Sequence, residues 1–310
     1  MPNEILIRPP YLNPGDKVAI VAPSGILKSK EGEVNQAMAL LKSWGLTVAL
    51  GEYVFAQNNH FAGTDEQRAR DLQKALDDPN VKAIWCARGG YGTVRILDQL
   101  DYTEFKKYPK WIIGYSDITA LHSQVNNLGY QSLHALMCVS LTKNLEGIEQ
   151  SVATMKESLF GNLPEYNLEG SKYNRPGDSS GVLVGGNLTI LQTMLGSNTS
   201  IDTKGKILFI EEIGEYKYHI DRMIQSLKRA GYFDECVGLI VGDMSKIRSN
   251  TTKWGSSVEQ LILDALAEYD FPIAFNMPAG HEKDNRALVL GAKIKLEVEK
   301  NSSKVRYQVD

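Results

Sequence analysis

A chain of 310 residues is longer than one typical domain and predicts two domains or one large α/β unit. Hydrophobic residues make up 43% of it and charged residues 23%, close to the globular average, which allows a sizeable core. The formal net charge of −3 and the lack of a long basic run argue against nucleic acid as the main partner.

The cysteines and the first residues bear on the compartment. Cys86, Cys138 and Cys236 have no metal-like spacing, and the first two lie in apolar stretches, so we interpret them as buried free thiols of a reducing compartment. No signal-peptide pattern is evident at the start, and no run of about 18 apolar residues could span a membrane. The sequence therefore predicts a soluble, cytoplasmic protein.

Strand-like and helix-like segments alternate in the first half of the chain. Short apolar strands are predicted at Lys17–Val21, Thr47–Leu50, Lys82–Ala87 and Trp111–Gly114. Helices are predicted from Val34 to Trp44, from Asp65, as the N-cap, to Leu76, and from Leu121 onward. This order predicts a parallel sheet with helices on both faces. Functional groups of such a sheet gather at the carboxyl ends of its strands, so the turns after Val21, Ala87 and Ile113 should share one edge.

A stretch rich in Pro, Gly, Ser and Asn divides the chain. It predicts a domain at residues 1–162, a linker at 163–180 and a second domain at 181–310. In the second domain, strands are predicted at Gly181–Val184, Lys206–Ile210 and Val237–Val241, and helices at Leu188–Leu195, at Tyr218–Arg229 and from a capping box at Ser256–Glu259 to Tyr269. Ile294, Leu296 and Val298 alternate with charged residues, which predicts a half-exposed antiparallel hairpin.

Ser116 lies in the strand-to-helix turn Gly114-Tyr115-Ser116-Asp117. Such a turn exposes the hydroxyl and directs the next backbone N–H, that of Asp117, into the same space, as in a nucleophile elbow. However, Ile118 replaces the second glycine of G-x-S-x-G, and Ser or Asp after a strand is also a common helix N-cap. The local pattern leaves both interpretations open.

A glycine-rich loop, Arg88-Gly89-Gly90-Tyr91-Gly92, follows another predicted strand. Its glycines allow close backbone approach and expose N–H groups to an anion. The loop is not a dinucleotide fingerprint, because G-x-G-x-x-G fails at Arg95, and it is not a P-loop. An oxyanion hole and a plain tight turn are equally compatible with it, and no cofactor is implied.

One of the five histidines differs in context from the others. His122 and His219 lie within predicted helices, where packing or surface roles are expected, whereas His281 follows the strand Ile273–Phe275 in a loop. Asn285 occupies the place of the second His in H-E-x-x-H, which disfavours a metal site.

Glu211 closes the apolar segment KILFI, and a carboxylate at a buried strand end needs a partner. It could orient the imidazole of His281, as the acid does in a Ser-His-Asp triad. A salt-bridged or capping role for Glu211 is the alternative. Because Glu212 and Glu215 lie nearby, spacing alone does not decide which glutamate would be the orienting acid.

Taken together, the motifs resemble the LD-carboxypeptidase family, the serine peptidases that include muramoyl-tetrapeptide carboxypeptidases and microcin C self-immunity proteins. The matching segments run in the family's order from about Gly15 to Leu296: Ala22–Gly25, Phe61–Thr64, Arg88–Gly92, Gly114–Thr119, Gly185–Leu188, Ile210–Glu212 with Asp221–Met223, and Gly280-His281.

By this resemblance Ser116 is the nucleophile, His281 the general base and Glu211 its orienting carboxylate. The family's acid precedes an acidic residue, which favours Glu211 over Glu212, although the family often has Asp at the latter position. The backbone N–H groups of Gly90 and Asp117 would form the oxyanion hole.

The resemblance also implies the fold and the substrate. An N-terminal, flavodoxin- or Rossmann-like parallel α/β domain would carry Ser116, and a C-terminal β-rich α/β domain would carry Glu211 and His281, with the active site at their interface and commonly in a homodimer. The substrate would be a murein tetrapeptide, cleaved between L-Lys or meso-diaminopimelate and the terminal D-Ala, without metal or cofactor.

Three alternatives accompany this hypothesis. A microcin C-type enzyme would cleave a peptidyl or aminoacyl adenylate, and a non-catalytic α/β protein would use the glycine-rich loop to bind an anion. A cysteine hydrolase using Cys86 or Cys138 is disfavoured, since neither lies in an obvious turn.

Overall fold

Residues 6–308 are described by a computed structural model, in which the strands form two sheets. The strands are β1 (Lys17–Val21), β2 (Thr47–Leu50), β3 (Val81–Cys86), β4 (Trp111–Gly114), β5 (Ser132–His134), β6 (Tyr166–Glu169), β7 (Gly177–Asn187), β8 (Lys206–Ile213), β9 (Gly238–Ser245), β10 (Ile273–Ala274), β11 (Leu288–Leu290), β12 (Lys293–Val298) and β13 (Ser302–Tyr307). The helices are α1 (Glu31–Ser43), α2 (Asp65–Asp77), α3 (Thr103–Lys107), α4 (Thr119–Asn127), α5 (Glu149–Phe160), α6 (Leu188–Thr193), α7 (Lys217–Arg229) and α8 (Val258–Ala265).

The first sheet has the strand order β11-β5-β4-β3-β1-β2, and its strands β1 to β5 are parallel. The central strands β1, β3 and β4 are almost wholly buried, as expected for a parallel sheet with helices on both faces. The predicted α/β architecture is therefore confirmed. The edge strand β11 comes from the C-terminal part of the chain and pairs antiparallel with β5.

The second sheet has the order β10-β9-β8-β7-β12-β13-β6. Strands β7 to β10 are parallel, and β12, β13 and β6 are antiparallel to their neighbours. The predicted C-terminal hairpin is thus confirmed as β12 and β13, whose buried and half-exposed residues alternate along β12.

Residues 163–180, which the composition predicts as a linker between domains, contain regular strands. They contain β6, in which Tyr166 and Leu168 are buried, and the first residues of β7, which pair with β12. The Pro, Gly and Asn residues between these strands form turns and hide the short strand pattern. Because β11 of the predicted second domain joins the first sheet, the division into residues 1–162 and 181–310 remains a prediction.

Two predicted N-cap residues are wrong by one position. Thr64, not Asp65, is the N-cap of α2, because the Thr64 Oγ1 atom accepts a hydrogen bond from the Gln67 N–H and the Gln67 side chain accepts one from Thr64 N–H. Ser257 alone caps α8, and that helix ends at Ala265 rather than at Tyr269. A hydroxyl directly before the first helical turn was the better signal in both cases.

One continuous core lies between the sheets, since a single cluster of buried residues includes Leu121 of α4, Leu188 of α6 and Leu208 of β8. Helix α4 follows the Ser116 turn and packs against both β7 and α6. The turn is therefore held against the second sheet by ordinary core packing. No helix within residues 6–308 is long and apolar enough to cross a membrane.

Lys110 is a fully buried cation that supports the first sheet. Its ammonium group donates to the carbonyls of Ala75, Leu76 and Asp78 at 3.2, 2.7 and 2.7 Å, at the C-terminal end of α2. Burial lowers the pKa of Lys110 to about 8, which leaves the group mainly charged at neutral pH. The positive charge thus lies where the helix dipole is negative.

We expect Lys110→Met to lower the free energy of unfolding by about 1–3 kcal/mol, because it leaves buried carbonyls without a donor. Urea unfolding measures this loss. Lys107→Met, at a side chain that is 59% exposed, is the matched control and should change stability by less than about 1 kcal/mol. Equal effects of both substitutions would contradict the capping role of Lys110.

Candidate active site

The turn after β4 places Ser116 in a strained backbone conformation. Ser116 has φ of 62°, in the left-handed region that side chains other than glycine rarely adopt, while Tyr115 before it is extended. A Cβ on Gly114 would lie 2.9 Å from Ile118, because the turn folds back on the strand end. The strand, the sharp turn and helix α4 together form the geometry of a nucleophile elbow.

The glycine-rich loop lies against this turn. A Cβ on Gly89 would be 3.2 Å from Ser116 Cβ and 3.4 Å from the backbone nitrogen of Asp117. The Gly89 carbonyl accepts a hydrogen bond from the Gly25 N–H at 3.0 Å. In a planar trans peptide the next N–H, that of Gly90, points the opposite way. Within residues 6–308 the N–H groups of Gly90 and Asp117 donate to no other group, so both remain free for an anion.

Side-chain hydrogen bonds join the three turns at this edge, as the parallel sheet predicts. The buried Asp117 carboxylate accepts from the Thr93 N–H at 2.9 Å, and the Thr93 hydroxyl lies 2.7 Å from that of Ser24. The side chain of Asp117 therefore fixes the glycine-rich loop, while its backbone N–H stays beside Ser116.

Glu211 and His281 meet at the carboxyl ends of β8 and β10. The His281 Nδ1 atom and the Glu211 Oε2 atom are 2.6 Å apart, Glu211 is fully buried and 12% of the His281 side chain is exposed. A hydrogen bond from Nδ1–H to the carboxylate leaves Nε2 as the basic atom of a neutral imidazole. This is the orientation that a general base requires.

The other two candidate acids have different partners. Glu212 accepts hydrogen bonds from the Asn187 side chain at 3.2 Å and from the Thr189 N–H at 2.8 Å, and Glu215 lies 2.5 Å from His219 Nδ1 in α7. Of the three, only Glu211 is hydrogen-bonded to His281 in the described part of the chain.

Tyr115 links Ser116 to His281, and the two residues are not hydrogen-bonded to one another within residues 6–308. The ring of Tyr115, the residue before Ser116, packs edge-on against the imidazole with centroids 4.9 Å apart. Catalytic hydrogen bonds are often long in unliganded enzymes and tighten when substrate binds. The arrangement brings together all five residues singled out in the sequence, from both sheets.

A close backbone approach joins the two sheets beside this site. The Asn187 N–H donates to Thr119 Oγ1 at 3.0 Å, three residues after Ser116, and a Cβ on Gly186 would lie 2.5 Å from the same oxygen. Gly186 has φ of 140°, which also favours glycine. Asn187 is paired with Glu211 in the register of β7 and β8, so one contact links the turn to the acid.

Asp243 is a site residue that the sequence analysis missed. Its Oδ2 atom accepts from the Glu282 N–H at 3.0 Å, and the Cβ position of Gly280 lies 3.1 Å from both this atom and Glu211 Oε2. Burial raises the pKa of Asp243 to about 6, with help from the negative charges of Glu282 and Glu211. A carboxylate near the end of the apolar strand β9 was the available signal.

Burial and neighbouring negative charges shift the pKa of His281 in opposite directions. Burial lowers its pKa, but the hydrogen bond and the negative charge of Glu211, with the charges of Glu212 and Asp243, outweigh it, so the pKa is raised overall. His122 and His134 contrast with it, because burial lowers the pKa of these imidazoles to about 4 and about 3. His122 Nε2 donates to the Gly114 carbonyl at 2.8 Å and so supports the strand end from within the core.

A metal site and a reactive thiol each place requirements on the described residues. In the described residues no group of three or more His, Cys, Asp or Glu side chains could hold a metal ion. Asn285 accepts a hydrogen bond from the Gly280 N–H at 3.1 Å and so shapes the His281 loop. Cys86 and Cys138 are buried, and burial raises the pKa of both thiols, which disfavours a thiolate nucleophile.

Family models match both halves of the chain. The LD-carboxypeptidase N-terminal domain matches residues 18–135, and the LD-carboxypeptidase C-terminal domain matches residues 180–296. The probable murein peptide carboxypeptidase of Bacillus subtilis is 36% identical over 290 residues, which cover 92% of this chain and 90% of that protein.

Solved structures of two other proteins superpose on nearly the whole chain. The muramoyltetrapeptide carboxypeptidase of Oxalobacter formigenes superposes with a TM-score of 0.84 at 29% identity, covering 94% of this chain and 99% of that one. The wild-type microcin C7 self-immunity protein MccF, without ligand, has a TM-score of 0.85 at 19% identity and covers 98% of this chain and 99% of its own. At that identity the likeness to MccF concerns the fold alone.

The charge of Glu211 should control the titration of His281. In Glu211→Gln we expect the imidazole to titrate at lower pH than in the native protein, because burial persists while the adjacent negative charge is lost. NMR titration of labelled histidines, with His281→Gln for assignment, measures this change. Glu215→Gln, which removes the carboxylate beside His219, should leave His281 unchanged. A His281 pKa that is the same in Glu211→Gln as in the native protein would contradict the assignment.

Proposed function

The chain belongs to the LD-carboxypeptidase family, and we propose that it is a serine-type carboxypeptidase that removes the terminal D-Ala from murein tetrapeptide. The observation that carries this proposal is the strained Ser116 turn, with two free N–H groups beside it and a hydrogen-bonded Glu211–His281 pair next to Tyr115. Nucleophile, oxyanion donors and oriented base are the parts that acyl transfer requires.

The first half of the reaction forms an acyl-enzyme. Ser116 Oγ attacks the carbonyl between the L-configured centre of the third residue and D-Ala, and His281 Nε2 takes the hydroxyl proton. The N–H groups of Gly90 and Asp117 donate to the tetrahedral oxyanion. Removing one such donor typically costs about 10²–10³ in rate, so they are a major part of the catalysis.

The second half releases both products. The His281 imidazolium returns its proton to the amine of the leaving D-Ala, and water activated by the same imidazole then hydrolyses the ester on Ser116. Glu211 keeps Nδ1 protonated and stabilises the imidazolium throughout. Its burial strengthens this effect, because water does not screen the charge of a fully buried carboxylate as it does at the surface.

We further propose that the enzyme acts in the cytoplasm, in recycling of peptidoglycan peptides, and as a homodimer. The three cysteines are free and buried, which supports a reducing compartment. The homodimer rests on the family resemblance, and light scattering coupled to size-exclusion chromatography tests it.

We expect Ser116→Ala to lower kcat for D-Ala release from murein tetrapeptide by about 10⁶-fold, because loss of a serine nucleophile removes the covalent pathway. An enzyme-coupled D-Ala assay measures this rate, and Ser226→Ala, on the exposed face of α7, is the control that should keep native activity.

Labelling by a fluorophosphonate probe should likewise be lost in Ser116→Ala and kept in Ser226→Ala. Undiminished D-Ala release by Ser116→Ala would refute the serine mechanism. Cleavage of an aminoacyl sulfamoyl adenylate in place of the tetrapeptide would instead establish the microcin C-type activity.

A further inference from the structure

A cavity of about 250 Å³ opens beside the imidazole of His281. Sites for drug-sized ligands usually measure roughly 300–1,000 Å³, so this cavity has room for one small residue. His281 and Tyr115 both line it, which places it directly next to the proposed general base. Ser116, Asp117 and Gly90 are not among the lining residues in the described part of the chain, so the cavity lies on the side of His281 rather than of the oxyanion hole.

One wall of the cavity is apolar and consists of Leu136, Val139 and Ile148, while Ser140, Thr142 and Asn285 are polar residues of the lining. Leu136 and Ile148 are buried in the core of the first sheet. Such a wall favours methyl or methylene groups, since each buried CH₂ contributes about 0.8 kcal/mol. The wall therefore suits the aliphatic part of a small amino acid.

Lys283 supplies an unpaired positive charge at the rim. Of the neighbouring carboxylates, Asp284 pairs with Arg286 at 2.8 Å, and Glu282, which also lines the cavity, accepts from the Ser245 hydroxyl at 2.6 Å. Within residues 6–308 Lys283 makes no ion pair, although its side chain lines the cavity.

The position of this side chain is defined by Gly147. A Cβ on Gly147 would lie 3.4 Å from Lys283 Cδ and 3.9 Å from Nζ, so the side chain runs along the glycine backbone next to Ile148. Gly147 has φ of 76°, a conformation in which other residues are strained. The ammonium group of this exposed side chain therefore lies beside Gly147, which precedes Ile148 of the apolar wall.

We propose that this cavity binds a carboxylate-bearing residue of the peptide substrate, with the Lys283 ammonium pairing with the carboxylate and the apolar wall contacting the aliphatic carbons. The inference rests on the proposed carboxypeptidase function. Two parts of a murein tetrapeptide combine a carboxylate with a short aliphatic segment: the terminal D-Ala and the side chain of meso-diaminopimelate at the third position. The terminal D-Ala fits better, because its amine must receive a proton from His281, which lines the cavity.

The test compares Lys283→Gln, which removes the charge at similar length, with Lys283→Arg, which keeps it. Steady-state kinetics use two tetrapeptides that end in D-Ala, one with L-Lys and one with meso-diaminopimelate at the third position. Lys300→Gln, on the turn between β12 and β13, is the matched control and should behave as the native enzyme.

If the cavity holds the terminal D-Ala, Lys283→Gln raises KM by about tenfold for both peptides, and Lys283→Arg largely restores it. If it holds the third residue, KM rises for the diaminopimelate peptide alone. A KM within twofold of native for both peptides overturns the proposal, as does an equal loss in Lys283→Arg and Lys283→Gln, which indicates a structural role.

A binding experiment separates this inference from the proposed reaction. Titration calorimetry of the diaminopimelate tetrapeptide into Ser116→Ala, with and without Lys283→Gln, needs no turnover. A charge-dependent loss of affinity with no D-Ala release by the native enzyme would leave the cavity assignment standing and refute the reaction. Normal D-Ala release by the native enzyme, with unchanged KM and affinity in Lys283→Gln, would support the reaction and refute the cavity assignment. No binding together with no turnover would refute both.

Discussion

The geometry of the candidate active site depends on the close approach of Gly186 to Thr119. The lack of a side chain at Gly186 lets the end of β7 lie against the first turn of α4, where the Asn187 N–H donates to the Thr119 hydroxyl. That contact fixes the distance between the Ser116 turn and the sheet that carries Glu211. A side chain at Gly186 would push these elements apart at the point where the geometry of a catalytic site tolerates displacements of only about 0.5 Å.

The buried Glu211 carboxylate is a second constraint. One of its oxygens bonds to His281, and the other has no hydrogen-bond partner within residues 6–308. A buried charge with unmet hydrogen-bonding capacity costs stability, and the raised pKa of His281 shows that the imidazolium offsets part of that cost. Such a pair is unfavourable for stability alone, and it suits a reaction in which a positive imidazole forms transiently.

Much of the fold could be predicted because strands β1 to β4 of the first sheet are short apolar runs bounded by turn residues. The sequence analysis did not predict β5, β6 or β11, since β6 lies among turn residues and the other two have only three residues each and pair with one another. The choice between Glu211 and Glu212 needed the structure as well. Consecutive residues of a strand point to opposite faces, and the sequence cannot tell which face meets His281.

The proposed site residues follow from the order of several weak motifs in the sequence, each of which also has a plain structural explanation. The sequence does not single out Asp243, because its role depends on its contact with Gly280, which is distant in sequence. Lys283 escaped for the same reason, since nothing in the string around it indicates that Gly147 and Ile148 lie alongside. Contacts between loops that are remote in sequence therefore could not be predicted from the sequence.

The loop that carries His281 is anchored to both sheets, which limits how far the proposed base can move relative to Ser116. On one side Asp243 accepts from its backbone, and Glu211 holds the imidazole. On the other, the Ser151 hydroxyl of α5 accepts from the Asn285 N–H at 2.8 Å, four residues after the base. Because α5 packs in the core of the first sheet, His281 is positioned by the same part of the fold that carries Ser116. Movement between the sheets would therefore have to break these hydrogen bonds before it could separate His281 from Ser116.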